Sequence, residues 1–150
     1  MAQSLAAVTI HIIFSTQRRI PFLKQEYRAS LFAYLSGVAR GQSCVVYEIG
    51  GLDDHIHILC SLPRTIFLAK LVEHFKTSSS KWLKLQNPEL RLFAWQQGYG
   101  AFSVSSSQLE RVGSYIRNQE IHHQKSDFKT ELLSLLQLSK ISFDEKYLWD

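Results

Sequence analysis

The sequence predicts an α+β fold built on one antiparallel sheet, and three observations predict it. Short stretches of apolar residues alternate with polar ones at a period of two, the mark of strands with one buried face. Two longer stretches repeat their apolar residues every three to four positions, the mark of helices packed on one side. These stretches follow one another as strand, helix, strand, strand, helix, strand.

The first strand is read from Val8, Ile10, Ile12 and Phe14, which alternate with Thr9, His11, Ile13 and Ser15. A basic loop spans Thr16 to Pro21. Tyr27, Leu31, Tyr34, Leu35 and Val38 then recur at helical spacing, with Gly41 as the stop signal. Cys44 to Ile49 is a second strand, rich in β-branched and apolar residues. Gly50-Gly51 and Asp53-Asp54 carry turn chemistry. His55 to Leu62 forms the third strand, in a hairpin with the second, and Pro63 ends it. Leu68, Leu71, Val72, Phe75 and Trp82 mark a second helix. Ala101 to Ser105 alternates as a fourth strand, after a break at Gly98-Tyr99-Gly100. Ser107-Gln108-Leu109-Glu110 has the pattern of a capping box, and a helix over about 107–123 follows it. A last helix runs from Ser126 through Phe128, Leu132, Leu135 and Leu136. The order is that of a ferredoxin-like sandwich, a split βαβ in which the first and third strands are central neighbours.

The chain has 150 residues, which favours one domain. The expected division is a core over about 5–105, the helix over about 107–123 and a helical tail over about 126–150. A hydrophobic fraction of 45% and a charged fraction of 20% are those of an ordinary soluble protein. No apolar run approaches the ~20 residues of a membrane span. The start, Met1 to Phe14, reads as a strand rather than a secretory signal. Cys44 and Cys60 lie in apolar runs without a CxxC, as buried reduced thiols do. A cytoplasmic protein is expected.

Net charge is +4, unevenly placed. Arg18, Arg19, Lys24, Arg28 and Arg40 face only Glu26 between Phe14 and Gly41. Arg64, Lys70, Lys76, Lys81 and Lys84 face only Glu73 between Arg64 and Lys84. The segment from Asp127 to Asp150 is net acidic. Two basic blocks suit either a polyanion-binding face or two solvated helix faces.

Chemistry concentrates at His55-Ile56-His57. Alternation along a strand puts both imidazoles on one face, one pleat apart, a spacing that suits two nitrogen ligands on one metal ion. Ile56 and Ile58 bury the opposite face, so the histidines point away from that core. Asp53 or Asp54 is placed to accept a hydrogen bond from an imidazole and orient it. Thr9 and His11 project from the same side of the first strand. On the later helix Tyr115 and Gln119 are one turn apart and share a face. Tyr115 offers a nucleophile, and the Gln119 amide oxygen a neutral hard ligand for Mg2+ or Mn2+. His122 and His123 are rival ligands that would make a set better suited to Zn2+. Gly113, inside this helix, marks either a pivot or a close packing contact.

Asp54-His55-Ile56-His57, Tyr115-Ile116-Arg117-Asn118-Gln119 and His122-His123 resemble the HUH single-tyrosine transposases of the insertion-sequence 200/605 kind. Trp95-Gln96-Gln97-Gly98-Tyr99-Gly100-Ala101-Phe102-Ser103-Val104-Ser105 is similar to that family's stretch before the tyrosine helix. The residues after the tyrosine favour the insertion-sequence branch over the repeat-associated one. The resemblance implies an enzyme that cuts and rejoins single-stranded DNA recognised through hairpins at the element's ends. It implies Tyr115 as nucleophile, a 5′-phosphotyrosine intermediate, and a divalent metal, Mg2+ or Mn2+, held by His55, His57 and Gln119. It also implies a homodimer with composite sites, the tyrosine helix of one subunit completing the histidine pair of the other.

Arg18, Arg19, Lys70, Lys76, Lys81 and Lys84 are the candidate phosphate contacts. Trp82, Trp95 and Tyr99 are candidate stacking platforms for bases or, as is more common for such residues, members of the core, and Trp82 falls on the apolar stripe of its helix. Two other readings compete. A metal-dependent phosphohydrolase would use water and need no tyrosine. A non-catalytic ferredoxin-like nucleic-acid binder would need neither metal nor tyrosine.

Overall fold

The computed structural model describes residues 2–122 and 126–150, with the main chain alone at 122. Four strands, β1 (Thr9–Ser15), β2 (Val46–Gly51), β3 (His55–Ser61) and β4 (Gly100–Ser103), form one sheet in the order β2-β3-β1-β4. Every pairing is antiparallel, and β1 and β3 are the central pair. This is the expected ferredoxin-like order.

Alternation divides the central strands between two cores. Ile10, Ile12 and Phe14 of β1 and Ile56, Ile58 and Cys60 of β3 face α1 (Gln25–Gly41) and α2 (Leu68–Gln86). Leu31, Leu35 and Ala39 of α1 and Leu71, Val72, Phe75 and Leu83 of α2 close this core. Each fully buried Leu, Ile, Val or Phe side chain among them contributes roughly 1.5–3 kcal/mol. Trp95 belongs to this core, packed edge-on against Phe14 and Phe93 with centroids 4.8 Å apart in both pairs. Its indole N–H donates to Ser79 Oγ at 2.9 Å, which satisfies both polar groups inside the core. Trp95 is therefore a core residue and no stacking platform. Trp82 stacks on Tyr34 at 4.9 Å, whereas Tyr99 stays exposed.

The other face of the sheet carries His11, Ile13, His55 and His57. It is covered by α3 (Leu109–Arg117), the short α4 (Gln119–His122) and α5 (Phe128–Leu138). Phe128, Leu132 and Leu136 of α5 join Ile13 and Phe102 in a second, smaller core, with Trp149 and Leu148 packed against it. Leu148 ends the last short helix, α6 (Glu145–Leu148). Among the described residues no helix is long and apolar enough to cross a membrane. Cys44 and Cys60 are buried free thiols.

Four local features depart from the sequence reading. Gly50-Gly51 is the end of β2 rather than the turn, which falls at residues 52–54. The reason is close approach: a Cβ at Gly50 would collide with the Ile116 carbonyl of α3. Likewise β4 begins at Gly100, where a Cβ would meet Ile13, Leu132 and Phe102. The two missing side chains admit α3 and α5 to the sheet. Gly50→Ala is expected to cost about 3 kcal/mol, the upper end for overpacking, as read from urea unfolding.

The capping box does not form. Ser107 Oγ pairs with Ser105 Oγ at 3.1 Å, a single turn of 3-10 helix occupies Ser106–Gln108, and α3 starts at Leu109. The expected continuous helix over about 107–123 breaks at Asn118, whose φ of −99° and ψ of 28° leave the helical region. Gln119 nonetheless stays one turn beyond Tyr115, its side-chain amide donating to the Tyr115 carbonyl at 3.4 Å.

Candidate functional site

His55 and His57 are fully buried on the second face of β3. Asp54, at the entrance to the strand, accepts from His55 Nδ1 at 2.7 Å. On the other side of the ring, His55 Nε2 faces Gln119 Oε1, 3.2 Å away, and Glu131 Oε1, 3.7 Å away. His57 Nε2 lies 2.7 Å from the same Glu131 oxygen. The ring of Phe128 stacks on His55 at 4.9 Å and shields it from water.

Tyr115 enters from α3. Its ring stands edge-on to His57, with centroids 5.8 Å apart, and its hydroxyl donates to Glu131 Oε2. Burial first, then the hydrogen bond to Glu131 and that group's charge, push the Tyr115 phenol above its ordinary pKa. The phenol is neutral at neutral pH and needs an acceptor if it is to lose its proton. Arg117 pairs with Glu48 at 3.0 Å, and Arg28 with Glu120 at 3.5 Å, fastening α3 and α4 to β2 and α1.

All four residues proposed from the sequence for chemistry, His55, His57, Tyr115 and Gln119, thus meet within one chain. Glu131, on α5, is the residue the sequence reading missed. Its signal was present: Phe128, Glu131, Leu132 and Leu135 fall at i, i+3, i+4 and i+7, so the glutamate sits on an apolar helix face. His123 lies outside the described residues, as does the side chain of His122, so neither rival ligand is placed.

Does this cluster suit a divalent cation? His55, His57 and Glu131 each offer a ligand atom within 4.8 Å of the others, and all three residues are buried. Two imidazole nitrogens, a carboxylate oxygen and an amide oxygen converge there. Such a mixed N/O donor set suits a divalent cation. A buried cluster of these three residues is therefore able to hold a metal ion.

Of the candidate phosphate contacts, Lys70, Lys76, Lys81 and Lys84 belong to α2, which covers the opposite face of the sheet. Lys81 and Lys84 project from the exposed side of α2, and Arg18 is exposed in the loop after β1, whereas Arg19 is half-buried. Arg18 and Arg19 both hold positive φ, at 55° and 56°. Lys70 pairs with Glu73 at 3.1 Å. Lys76 is committed elsewhere: its ammonium donates to the carbonyls of Gln96, Gln97 and Gly98 at 2.7, 3.1 and 2.6 Å. Burial lowers its pKa to about 8. Lys76→Met is expected to lower stability by about 2 kcal/mol in urea unfolding, leaving the salt dependence of DNA binding unchanged.

Fold and cluster define a class, an α+β sandwich whose second face holds a metal-capable histidine pair with a phenol beside it. Within that class the chain belongs to the IS200-like transposase family: the family model described as "Transposase IS200 like" matches residues 4–119. The match spans the histidine pair, Tyr115 and Gln119, and ends before α5. Membership makes the chain a transposase, an enzyme that cuts and joins DNA strands.

Among solved structures, the fold is similar to that of a "putative transposase" from Deinococcus radiodurans R1. That likeness has a TM-score of 0.61 and 20% identity, over 79% of this chain and 98% of the other. It is also similar to a REP-associated tyrosine transposase bound to a REP hairpin. Here the TM-score is 0.59 with 17% identity, over 82% of this chain and 74% of the other. No curated protein matches the sequence significantly.

Proposed function

We propose that this transposase cuts and rejoins single-stranded DNA through a 5′-phosphotyrosine intermediate, with Tyr115 as the nucleophile. The observation that carries the reading is the contact of Tyr115 with Glu131 at the histidine pair. It places a phenol, a proton acceptor and a metal-capable cluster side by side.

In this reading His55, His57 and Glu131, with Gln119 at their edge, hold a divalent cation, Mg2+ or Mn2+. When bound, the cation polarises and orients the scissile phosphate. Tyr115 Oη attacks phosphorus, its proton passes to Glu131 Oε2, and the bond to the 3′ oxygen breaks as that oxygen takes up a proton from solvent. A free 3′-OH remains and the 5′-phosphate is linked to tyrosine. In the second step a 3′-OH attacks that link and the phenol regains its proton. One ester replaces another at each step, so no energy source is required. Desolvation raises the cost of ionising Tyr115, and the adjacent carboxylate offsets it.

Hairpin-bearing single-stranded DNA is the proposed substrate. It is supported by the family and by the DNA hairpin in the REP-associated neighbour. Arg18, Arg19, Lys70, Lys81 and Lys84 remain the proposed phosphate contacts. A homodimer is also proposed, though no second subunit is needed to bring Tyr115 to a histidine pair.

The test is incubation with end-labelled single-stranded DNA carrying an element-end hairpin, with Mg2+ or Mn2+, followed by a denaturing gel. A protein-linked label is expected. Water-borne products without an adduct would instead favour the phosphohydrolase, and binding without cleavage the non-catalytic binder. Mixing Tyr115→Phe with His57→Ala protein decides between cis and composite sites. Recovery of activity in the mixture requires exchange between subunits, and none is expected if each chain builds its own site. Glu131→Ala is expected to weaken Mn2+ binding about 10-fold or more, and Gln119→Ala by less.

A further inference from the structure

One buried group near the site has no part in the chemistry above. His11, on β1, is only 3% exposed. In the register it sits opposite Leu59, so it is a diagonal neighbour of His57 on the same sheet face. Its Nε2 lies 2.7 Å from His57 Nδ1, and the two rings stack with centroids 5.0 Å apart at 25°. Phe102 packs against it, with ring centroids 6.2 Å apart. A neutral imidazole carries hydrogen on one ring nitrogen and a lone pair on the other.

One hydrogen lies between His11 Nε2 and His57 Nδ1, and which ring owns it depends on the far side of His57. Against the Glu131 carboxylate, His57 Nε2 carries its hydrogen. Nδ1 is then bare and His11 must donate. Against a cation, His57 Nε2 must present its lone pair. Nδ1 then carries the hydrogen and His11 Nε2 must accept. A residue that only donates would serve the first state alone, and an apolar one would serve neither.

We propose that His11 is a positioning residue for His57, a two-way hydrogen-bond partner that lets His57 exchange a carboxylate for a metal ion without losing its buried contact. This rests on the reading of His57 as a metal ligand. The class of interaction is the one by which outer partners orient ligating histidines, here supplied by a second imidazole rather than a carboxylate or carbonyl. Asp54 plays the fixed version of that part for His55, because an ionised carboxylate only accepts.

The experiment uses the full chain, with 15N-labelled histidine and long-range 1H–15N NMR, before and after addition of Mg2+. Without metal, His57 is expected as the Nε2–H tautomer and His11 as a donor at Nε2. With Mg2+, His57 is expected as Nδ1–H and His11 bare at Nε2. In parallel, the affinity for Mn2+ is measured from the EPR signal of the unbound ion. His11→Gln, whose amide can turn to donate or accept, is expected within about threefold of wild type, and His11→Leu to bind about 10–100-fold more weakly.

Equal Mn2+ affinity in His11→Leu overturns the proposal, as does an Nε2–H tautomer at His57 in the Mg2+ form. If His11→Leu does not fold, the tautomers of the wild type and the affinity of His11→Gln decide. Wild type that takes up no Mn2+ overturns the metal reading and this inference with it. Wild type that binds while His11→Leu binds equally well overturns this inference alone.

Discussion

Tyr115→Phe is expected to abolish the covalent protein–DNA adduct and to lower strand cleavage by at least about 1000-fold, the scale on which removal of a nucleophile acts. The substitution deletes one oxygen. The ring keeps its edge-on contact with His57, so fold and position of α3 should survive. Glu131 loses a donor but keeps its contacts with both histidines. Mn2+ affinity is therefore expected to hold, which separates loss of the nucleophile from loss of the metal cluster. The measurement is the denaturing gel with end-labelled single-stranded DNA, with Mn2+ binding measured on the same preparation. Cleavage at the wild-type rate by the phenylalanine variant would remove Tyr115 from the reaction and restore water as the nucleophile.

His57→Ala should produce the second large effect, on binding rather than on chemistry alone. His57 touches Glu131 on one side and His11 on the other, and all three are buried. Its removal takes away a ligand atom, and Mn2+ affinity is expected to fall by more than about 100-fold, beyond the range of outer-partner substitutions. It also takes a partner from a buried carboxylate, at a cost of about 3 kcal/mol in the metal-free protein. Urea unfolding with and without Mn2+ reads both effects. The wild type should gain stability with the ion, and the variant should not. Equal stabilisation of the two proteins by Mn2+ would place the metal elsewhere.

Much of this arrangement was legible in the chain, for local reasons. The faces of β1 and β3 follow from alternation, and the positions of His11, His55 and His57 follow with them. Tyr115 and Gln119 share a face because they are one turn apart, and that survived even the break at Asn118. Glu131 was not legible in the same way. Its contacts reach residues far away in sequence, and helical spacing tells only that its face is buried, not what it is buried against. The partners of Trp95 and Lys76 were hidden for a related reason. An indole or an ammonium does not announce its acceptor in the sequence, and each finds polar partners inside, Ser79 for one and three carbonyls for the other. The bound state of Gly50 was hidden too, since a Gly-Gly pair serves a turn and a close helix contact equally well.

The two glycines under α3 and α5 differ in what evolution can do with them. At Gly100 an added methyl would meet the ends of side chains: Ile13 Cγ2 at 2.9 Å, Leu132 Cδ1 at 3.2 Å and Phe102 Cε2 at 3.2 Å. Smaller residues at 13 and 132 make room, so a substitution at 100 can be tolerated along a path of paired changes. At Gly50 the obstacle is the carbonyl of Ile116, which every amino acid carries. No change of side chain at 116 removes it. Position 50 is thus closed to compensation by its neighbour, and drift in this lineage is free to retune the contact of α5 while the seat of the tyrosine helix stays fixed.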